Sequence, residues 1–222
     1  MTAAETNIPS YQENVKSLIN QLGTMLPEDK LAVFNADAEQ LAVTYPSPLK
    51  LQKGDQAPLF ALRNAKGNVI NLADLLKHGP VVLTFYRGVW CPYCNLQLAN
   101  YQQILPQILK SGASLVAVSP MIPDQSLSIV ETNQLQFEVL SDIGNKVSRQ
   151  YTTVFKAGDK PIQAMTELGY DFRGFYGDES DELPVPATFV IAQDGSLLFA
   201  GSEGGDYRKR VEPHDILVAL DV

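Results

Sequence analysis

Residues 81–86, "VVLTFY", form a short β-prone run with no charge, followed at once by "RGVWCPYC" and a long stretch of helical character. A run of this kind is expected of a strand buried in the middle of a sheet. Pro92 suits the first turn of the helix, where a missing N–H costs nothing. A strand, a tight turn and a helix are thus required at the centre of the fold. The two cysteines among the 222 residues, Cys91 and Cys94, both lie at that turn.

The rest of the chain alternates around this unit. Residues 59–62 predict a short strand, and "RNAKGN" is turn chemistry, so a hairpin follows. The helix after the cysteines should carry Leu96, Ile104 and Leu105 inward and kink at Pro106, because an interior proline removes a backbone bond. "ASLVAVS" and "FEVLSD" read as strands. "PDQSLSIVETNQL" reads as a helix with Pro123 near its start, and Asp142 should cap another. Asp194-Gly195 turns a hairpin in "ATFVIAQDGSLLFAG", and "PHDILVAL" is a closing helix. This order predicts an α/β fold, a mixed central sheet flanked by helices on both faces. Residues 156–183 are less regular and suggest a lid or excursion.

Residues 1–50 read differently. Val15, Leu18, Ile19 and Leu22 mark one helix face, with Gly23 as its stop. Leu31, Phe34, Ala38 and Leu41 mark a second after Pro27, and the prolines of "TYPSPLK" end it. We expect an N-terminal helical extension and linker over 1–50 and one domain over 51–222. The extension either packs on that domain or forms a homodimer contact.

Composition narrows the function. A net charge of −8 argues against a protein built to hold nucleic acid. "DYRKR" at 206–210 reads as a solvated loop. With 45% apolar and 19% charged residues, a chain of this length buries a core without disulfide staples. The start of the chain lacks a basic segment leading into an apolar run, and no stretch approaches the roughly 18 apolar residues of a membrane span. The expected compartment is cytoplasmic, where two close cysteines are catalytic or metal-binding rather than structural.

At a helix N-terminus, free N–H groups and the helix dipole favour an anion. A free thiol has a pKa of about 8.5, and helix N-termini and CxxC motifs lower it to ~3.5–7.5. Cys91 is therefore expected to be the attacking thiolate. Cys94, one turn on and facing the same side, is expected to lie deeper and to close a disulfide with it. Half a zinc site is the competing reading of CxxC, but four ligands are needed, and His78 and His214 look ordinary. A cluster shared between two chains and a pair of idle buried thiols are further alternatives.

"GDQAPLFAL", "VVLTFYRGVWCPYCNLQL", "FEVLSD", "PVPATFVIAQDG" and "DYRKRVEP", in this order over residues 51–222, resemble the peroxiredoxin-like proteins of the alkyl hydroperoxide reductase/thiol-specific antioxidant family. "CPYC" also matches the glutaredoxin tetrapeptide. The resemblance implies a thioredoxin-like fold, no bound cofactor and an external reductant of thioredoxin or glutathione type. It aligns Cys91 with the family's attacking cysteine. The family's threonine three residues earlier and proline seven earlier are here Gly88 and Thr84. The family's arginine before the strand matching "TFVI" is missing. Pro186 stands where the thioredoxin group keeps a cis-proline, so a cis bond is expected. Arg87 and the backbone at the helix start are the candidates to replace the missing donors, with a surface role for Arg87 as the alternative. Trp90 and Tyr93 flank the thiol, either packing on substrate or walling the core.

Three functions fit. One is a thiol peroxidase, in which Cys91 attacks a peroxide and Cys94 resolves the sulfenic acid. The second is a disulfide reductase working through a mixed disulfide. The third is a non-enzymatic redox sensor. The first is preferred, with no membrane or nucleic-acid partner.

Overall fold

β3 (Val81–Phe85) is buried along its whole length, as its apolar run requires. It pairs in parallel with β4 (Ser114–Ser119) and antiparallel with β8 (Ala187–Ile191). With β1 (Ala61–Asn64), β2 (Val69–Asn71), β5 (Glu138–Ser141) and β9 (Leu197–Gly201), they make a mixed seven-stranded sheet in the order β2-β1-β5-β4-β3-β8-β9. The structure, a computed structural model, describes residues 8–221, the side chains of 127–129 and 132 excepted.

Alternate residues of β3 serve opposite faces of the sheet. Val81, Leu83 and Phe85 share a core with Leu72 and Leu76 of α3 (Leu72–Leu76) and Tyr151 of α6 (Ser148–Tyr151). Val82 packs with Ile104 and Ile108 of α4 (Pro92–Lys110) and with Ile216 and Leu217 of α8 (Pro213–Ala219). Each such side chain contributes about 1.5–3 kcal/mol by leaving water. Helices therefore cover both faces, as expected. α5 (Pro123–Thr132) joins β4 to β5. Asp142 accepts from the backbone of Val147 (3.0 Å) and Ser148 (2.7 Å), so it braces the entry to α6.

Two local expectations are corrected. β1 begins at Ala61 rather than Leu59, which is exposed. α4 runs on through Pro106 to Lys110 without a break. Its buried stripe is Leu98, Tyr101, Ile104, Leu105 and Ile108, whereas Leu96 is only half-buried; the 3.6-residue period that includes Tyr101 turns Leu96 aside.

α1 (Tyr11–Met25) and α2 (Glu28–Thr44) fold back on their own chain. The Glu212 carboxylate accepts from the backbone N–H groups of Tyr11 and Gln12, each at 2.8 Å, which suits an anion to the helix N-terminus. The Tyr11 hydroxyl donates to the Arg208 carbonyl (2.9 Å), and the Tyr207 hydroxyl to that of Phe34 (2.6 Å). α1 passes Gly23 in helical conformation, and Ile19 is exposed, so two readings of that helix are corrected. The excursion contains α7 (Asp159–Glu167) and a 3-10 turn (Arg173–Phe175), and β6 (Val154–Lys156) and β7 (Glu182–Pro184) bound it. β6 and β7 pair antiparallel and draw its ends together.

Candidate active site

Cys91 is the N-cap of α4, in extended conformation (φ −86°, ψ 109°). Its carbonyl accepts from the N–H groups of Cys94 (3.0 Å) and Asn95 (3.1 Å). The loop before it is tied down on several sides. Asn95 Nδ2 donates to the Val89 carbonyl (2.8 Å), Val89 N–H meets Met121 Sδ (3.1 Å), and Tyr86 N–H donates to the Val118 carbonyl (3.0 Å). Both cysteines are reduced and buried, at 1% and 0% exposure. They differ in outlook, because Cys91 lines a cavity and Cys94 lies behind its wall.

That cavity has a volume of about 580 Å³, within the usual range of small-molecule sites. Trp90, Cys91, Pro92 and Tyr93 line one side of it. The N-terminal helices (Leu18, Leu22, Phe34) and the excursion (Ile162, Met165, Phe172) line the rest. The excursion is therefore a cover, and the extension completes it. Trp90 Nε1 donates to the Tyr176 hydroxyl at 2.6 Å, and that hydroxyl donates to the Arg87 carbonyl at 2.9 Å. Trp90 also stacks on Phe172 with ring centres 5.7 Å apart. Tyr93 is buried, 6.1 Å from Tyr207 ring to ring.

Two guanidinium groups are buried beside the pair. Arg87 lies 3.8 Å from the Tyr207 ring centre and 4.8 Å from that of Trp90, and it lines the cavity. A surface role is excluded, because Arg87 is buried. Its Nε has no hydrogen-bond partner among the described residues. Arg210 Nη2 donates to Cys94 Sγ (3.4 Å), and its Nε to Gln97 Oε1 (2.9 Å). Gln97 continues to the Tyr101 hydroxyl (3.1 Å). The reading of 206–210 as a solvated loop is therefore corrected. Asp206, Tyr207 and Arg210 are all buried and Lys209 alone of the five is exposed, because α1, α2 and the cysteine helix close over the segment. Sequence reasoning missed Arg210, Gln97 and Tyr176. The close alternation of tyrosine and arginine in "DYRKR" was the available signal for the first.

Opposing effects act on the two thiols. Burial pushes the Cys91 thiol well up, and the neighbouring Cys94 adds to this, although Arg87 and Arg210 oppose it. Burial also resists ionisation of Cys94, but the hydrogen bond from Cys91 and the Arg210 and Arg87 guanidiniums hold it well below the ordinary thiol range. Arg87 and Arg210 thus flank the pair as two buried cations that favour a thiolate in it, and no first-turn N–H caps through the Cys91 side chain.

Pro186 is corrected as well. All described peptide bonds are trans. The Val185 N–H donates to the Thr153 carbonyl (2.8 Å) and its carbonyl accepts from Thr152 Oγ1 (3.0 Å), which carries the chain directly from β7 into β8. Gly88 has a clear local reason: a Cβ there would stand 2.6 Å from Trp90 Nε1 and 3.0 Å from the Tyr176 hydroxyl. Thr84 is buried and bonded to Thr188 Oγ1 at 3.0 Å. Among the described residues, no three His, Cys, Asp or Glu side chains converge as a metal cluster. No helix among them is long and apolar enough to cross a membrane.

The AhpC/TSA family model matches residues 53–200. A peroxiredoxin homologue of Mycobacterium tuberculosis is 28% identical over 152 residues, covering 68% of this chain and 85% of its own. A chloroplastic peroxiredoxin Q of Populus jackii is 30% identical over 102 residues, 46% of this chain and 47% of that one. Among solved structures, the peroxidoxin BcpB of M. tuberculosis superposes with a TM-score of 0.58 at 22% identity, over 77% of this chain and 97% of that one. A peroxiredoxin-like protein of Aquifex aeolicus gives 0.61 at 15% identity, over 80% and 90%. The fold is thus the thioredoxin-like one of these proteins.

Proposed function

The chain belongs to the AhpC/TSA family, and from that premise we propose that it reduces peroxides with Cys91 as the attacking and Cys94 as the resolving sulfur. Peroxiredoxin relatives make it an oxidoreductase with thiol-dependent peroxidase activity. Cys91 Sγ gives an electron pair to one peroxide oxygen, the O–O bond breaks, and a sulfenic acid forms on Cys91. The Cys94 thiolate then attacks that sulfur and expels hydroxide, which takes a proton from solvent. An external thiol donor of thioredoxin or glutathione type returns the two electrons. No prosthetic group takes part. In this reading residues 51–222 carry the chemistry and residues 1–50 complete its cover, in a soluble cytoplasmic protein.

The observation that carries the proposal is the cavity that ends on Cys91. A small peroxide fits there without moving the backbone, whereas a protein disulfide needs α1, α2 and the excursion to open. The apolar walls suit a hydroperoxide with an apolar body. Arg87, buried and with an unpaired Nε, is the cation available to the peroxide in place of the family's missing arginine. Its stacking on Trp90 and Tyr207 fixes its place. Trp90, Tyr93, Pro92 and Gly88 shape the turn, and Pro186 starts the neighbouring strand away from the cavity wall.

"CPYC" keeps the disulfide reductase as the second reading. Stopped-flow mixing separates the two. Reduced protein is mixed with hydrogen peroxide, an alkyl hydroperoxide or oxidised glutathione, and Trp90 fluorescence follows disulfide closure. Peroxide reacting orders of magnitude faster than a free thiol supports the peroxidase. Peroxide no faster than a free thiol, with rapid reaction of the disulfide, replaces it by the reductase.

A further inference from the structure

Arg87 is a buried cation on the cavity wall without a carboxylate partner. Among the described residues its Nε has no hydrogen-bond acceptor. No carboxylate among them lies within ion-pair distance of it, in contrast to Arg173 and Arg208, which pair with Asp181 and Asp206. Tyr207 and Trp90 stack against its faces, so its N–H edge is the part left for a ligand. A buried charge without a counter-charge is unfavourable, and a guanidinium edge matches the two oxygens of a carboxylate. Arg208, the other cation on the wall, is already taken by Asp206 and by Asn35, each at 3.1 Å or less. Asp37 is the one carboxyl on the wall; it makes no ion pair with Arg87, and burial pushes it up, toward its neutral form. Most of the remaining wall is apolar, with Leu18 and Leu22 of α1, Phe34 of α2, and Ile162 and Met165 of α7.

We propose that this cavity is a binding site for an amphiphilic monocarboxylate of fatty-acid type, its head on Arg87 and its chain along α1, α2 and α7. The head accepts hydrogen bonds from the guanidinium and supplies the missing counter-charge. The chain leaves water against the apolar walls, which tightens binding about fourfold for each buried methylene. The cysteines modulate the head site, because an ionised Cys91 or Cys94 acts on Arg87 as a negative neighbour. Joined as a disulfide the two sulfurs carry no charge, so the acid is bound most tightly by the disulfide form. At saturation a tenfold preference for that form lowers its reduction potential by about 30 mV. The acid also fills the space through which a peroxide reaches Cys91, and it takes the cation that would meet the peroxide. Such an acid is therefore a competitive regulator of the site. The competition rests on the peroxidase reading; the binding does not.

Trp90, the one tryptophan of the sequence, lies on the cavity wall, and its fluorescence reports binding without turnover. The protein, oxidised to its disulfide, is titrated near pH 7 with octanoate and with octanol, which share a chain and differ in charge. Octanoate should bind about tenfold or more tightly than octanol, as expected of a charge-assisted head. The reduced protein should bind octanoate less tightly. From hexanoate to decanoate the affinity should climb about fourfold per methylene. Arg87→Gln should close the gap between acid and alcohol, and Arg208→Gln should keep it. Near-UV circular dichroism reports the fold. Octanoate no tighter than octanol overturns the proposal, as do an affinity independent of chain length, tighter binding by the reduced form, and a gap that survives in folded Arg87→Gln. If Arg87→Gln does not fold, Arg208→Gln decides: loss of the gap there assigns the head to Arg208 and overturns the proposal, and its retention supports Arg87. Stopped-flow reaction with peroxide no faster than that of a free thiol would end the peroxidase reading and leave these affinities unchanged, so the two fail separately.

Discussion

The Trp90 indole N–H donates to the Tyr176 hydroxyl over 2.6 Å, and this bond joins the loop before the cysteines to the excursion that covers them. The Tyr176 hydroxyl in turn donates a hydrogen bond to the Arg87 carbonyl at 2.9 Å. Loop, cover and buried cation are thereby one connected unit, and Gly88 leaves the space in which they meet.

Restoring the family's threonine at that point should break the unit. Gly88→Thr puts a Cβ 2.6 Å from Trp90 Nε1, so indole or tyrosine must move. Overpacking of this kind costs about 1–3 kcal/mol. Denaturant unfolding should show that loss, and Trp90 emission should change. Unchanged stability and emission would show that the close approach is not maintained in solution.

The cysteines should fail in different ways. Cys91→Ser should abolish turnover with every oxidant. Cys94→Ser should allow one attack and then stall as a sulfenic acid, which a dimedone-type probe and mass spectrometry detect. Multi-turnover activity in Cys91→Ser would end the assignment.

The cavity wall should choose among peroxides. Ile162 lies on the wall contributed by α7. Ile162→Asp places a charge against the apolar body of a substrate and should raise KM for a long-chain alkyl hydroperoxide about tenfold or more. Hydrogen peroxide, which has no such body, should change by less than about twofold. Equal effects on both would remove the apolar-substrate reading.

The segment that carries Arg210 should be sensitive to acid. Burial opposes ionisation of Asp206, but hydrogen bonds from the Arg208 side chain and backbone hold its carboxyl below the usual range. A depressed folded-state pKa gives stability that is fully present above the unfolded value, about 3.9, and is lost as pH falls through the folded value. Asp206→Asn should therefore cost about 1 kcal/mol near pH 7. It should lose less than the wild type on further acidification. Thermal melts between about pH 3 and 7 check both limbs.

Much of the frame could be read from local pattern. The buried run at 81–86, the Asp194-Gly195 hairpin and the long helix after Pro92 all fall where period and turn chemistry place them. Leu59, Leu96 and Gly23 were misread because a strand start, a helix face and a helix stop are settled by neighbours from other elements. The cysteine pair was legible as a reaction unit, since spacing alone puts both sulfurs on one side of a turn.

The cations buried around the pair were not legible. A helix N-terminus is visible in sequence, and it points to Cys91 as the anion. Arg210 lies 116 residues from Cys94, in a run that local composition marks as solvated, and only the closure of α1, α2 and α4 over that run removes it from water. The sequence by itself determined a strand–CPYC–helix centre and its dithiol chemistry, because those depend on neighbours along the chain. Tertiary structure decided which cations flank the sulfurs, what covers Cys91 and where Arg87 sits, because burial and Coulomb forces act through space and depend on distance, not on sequence separation.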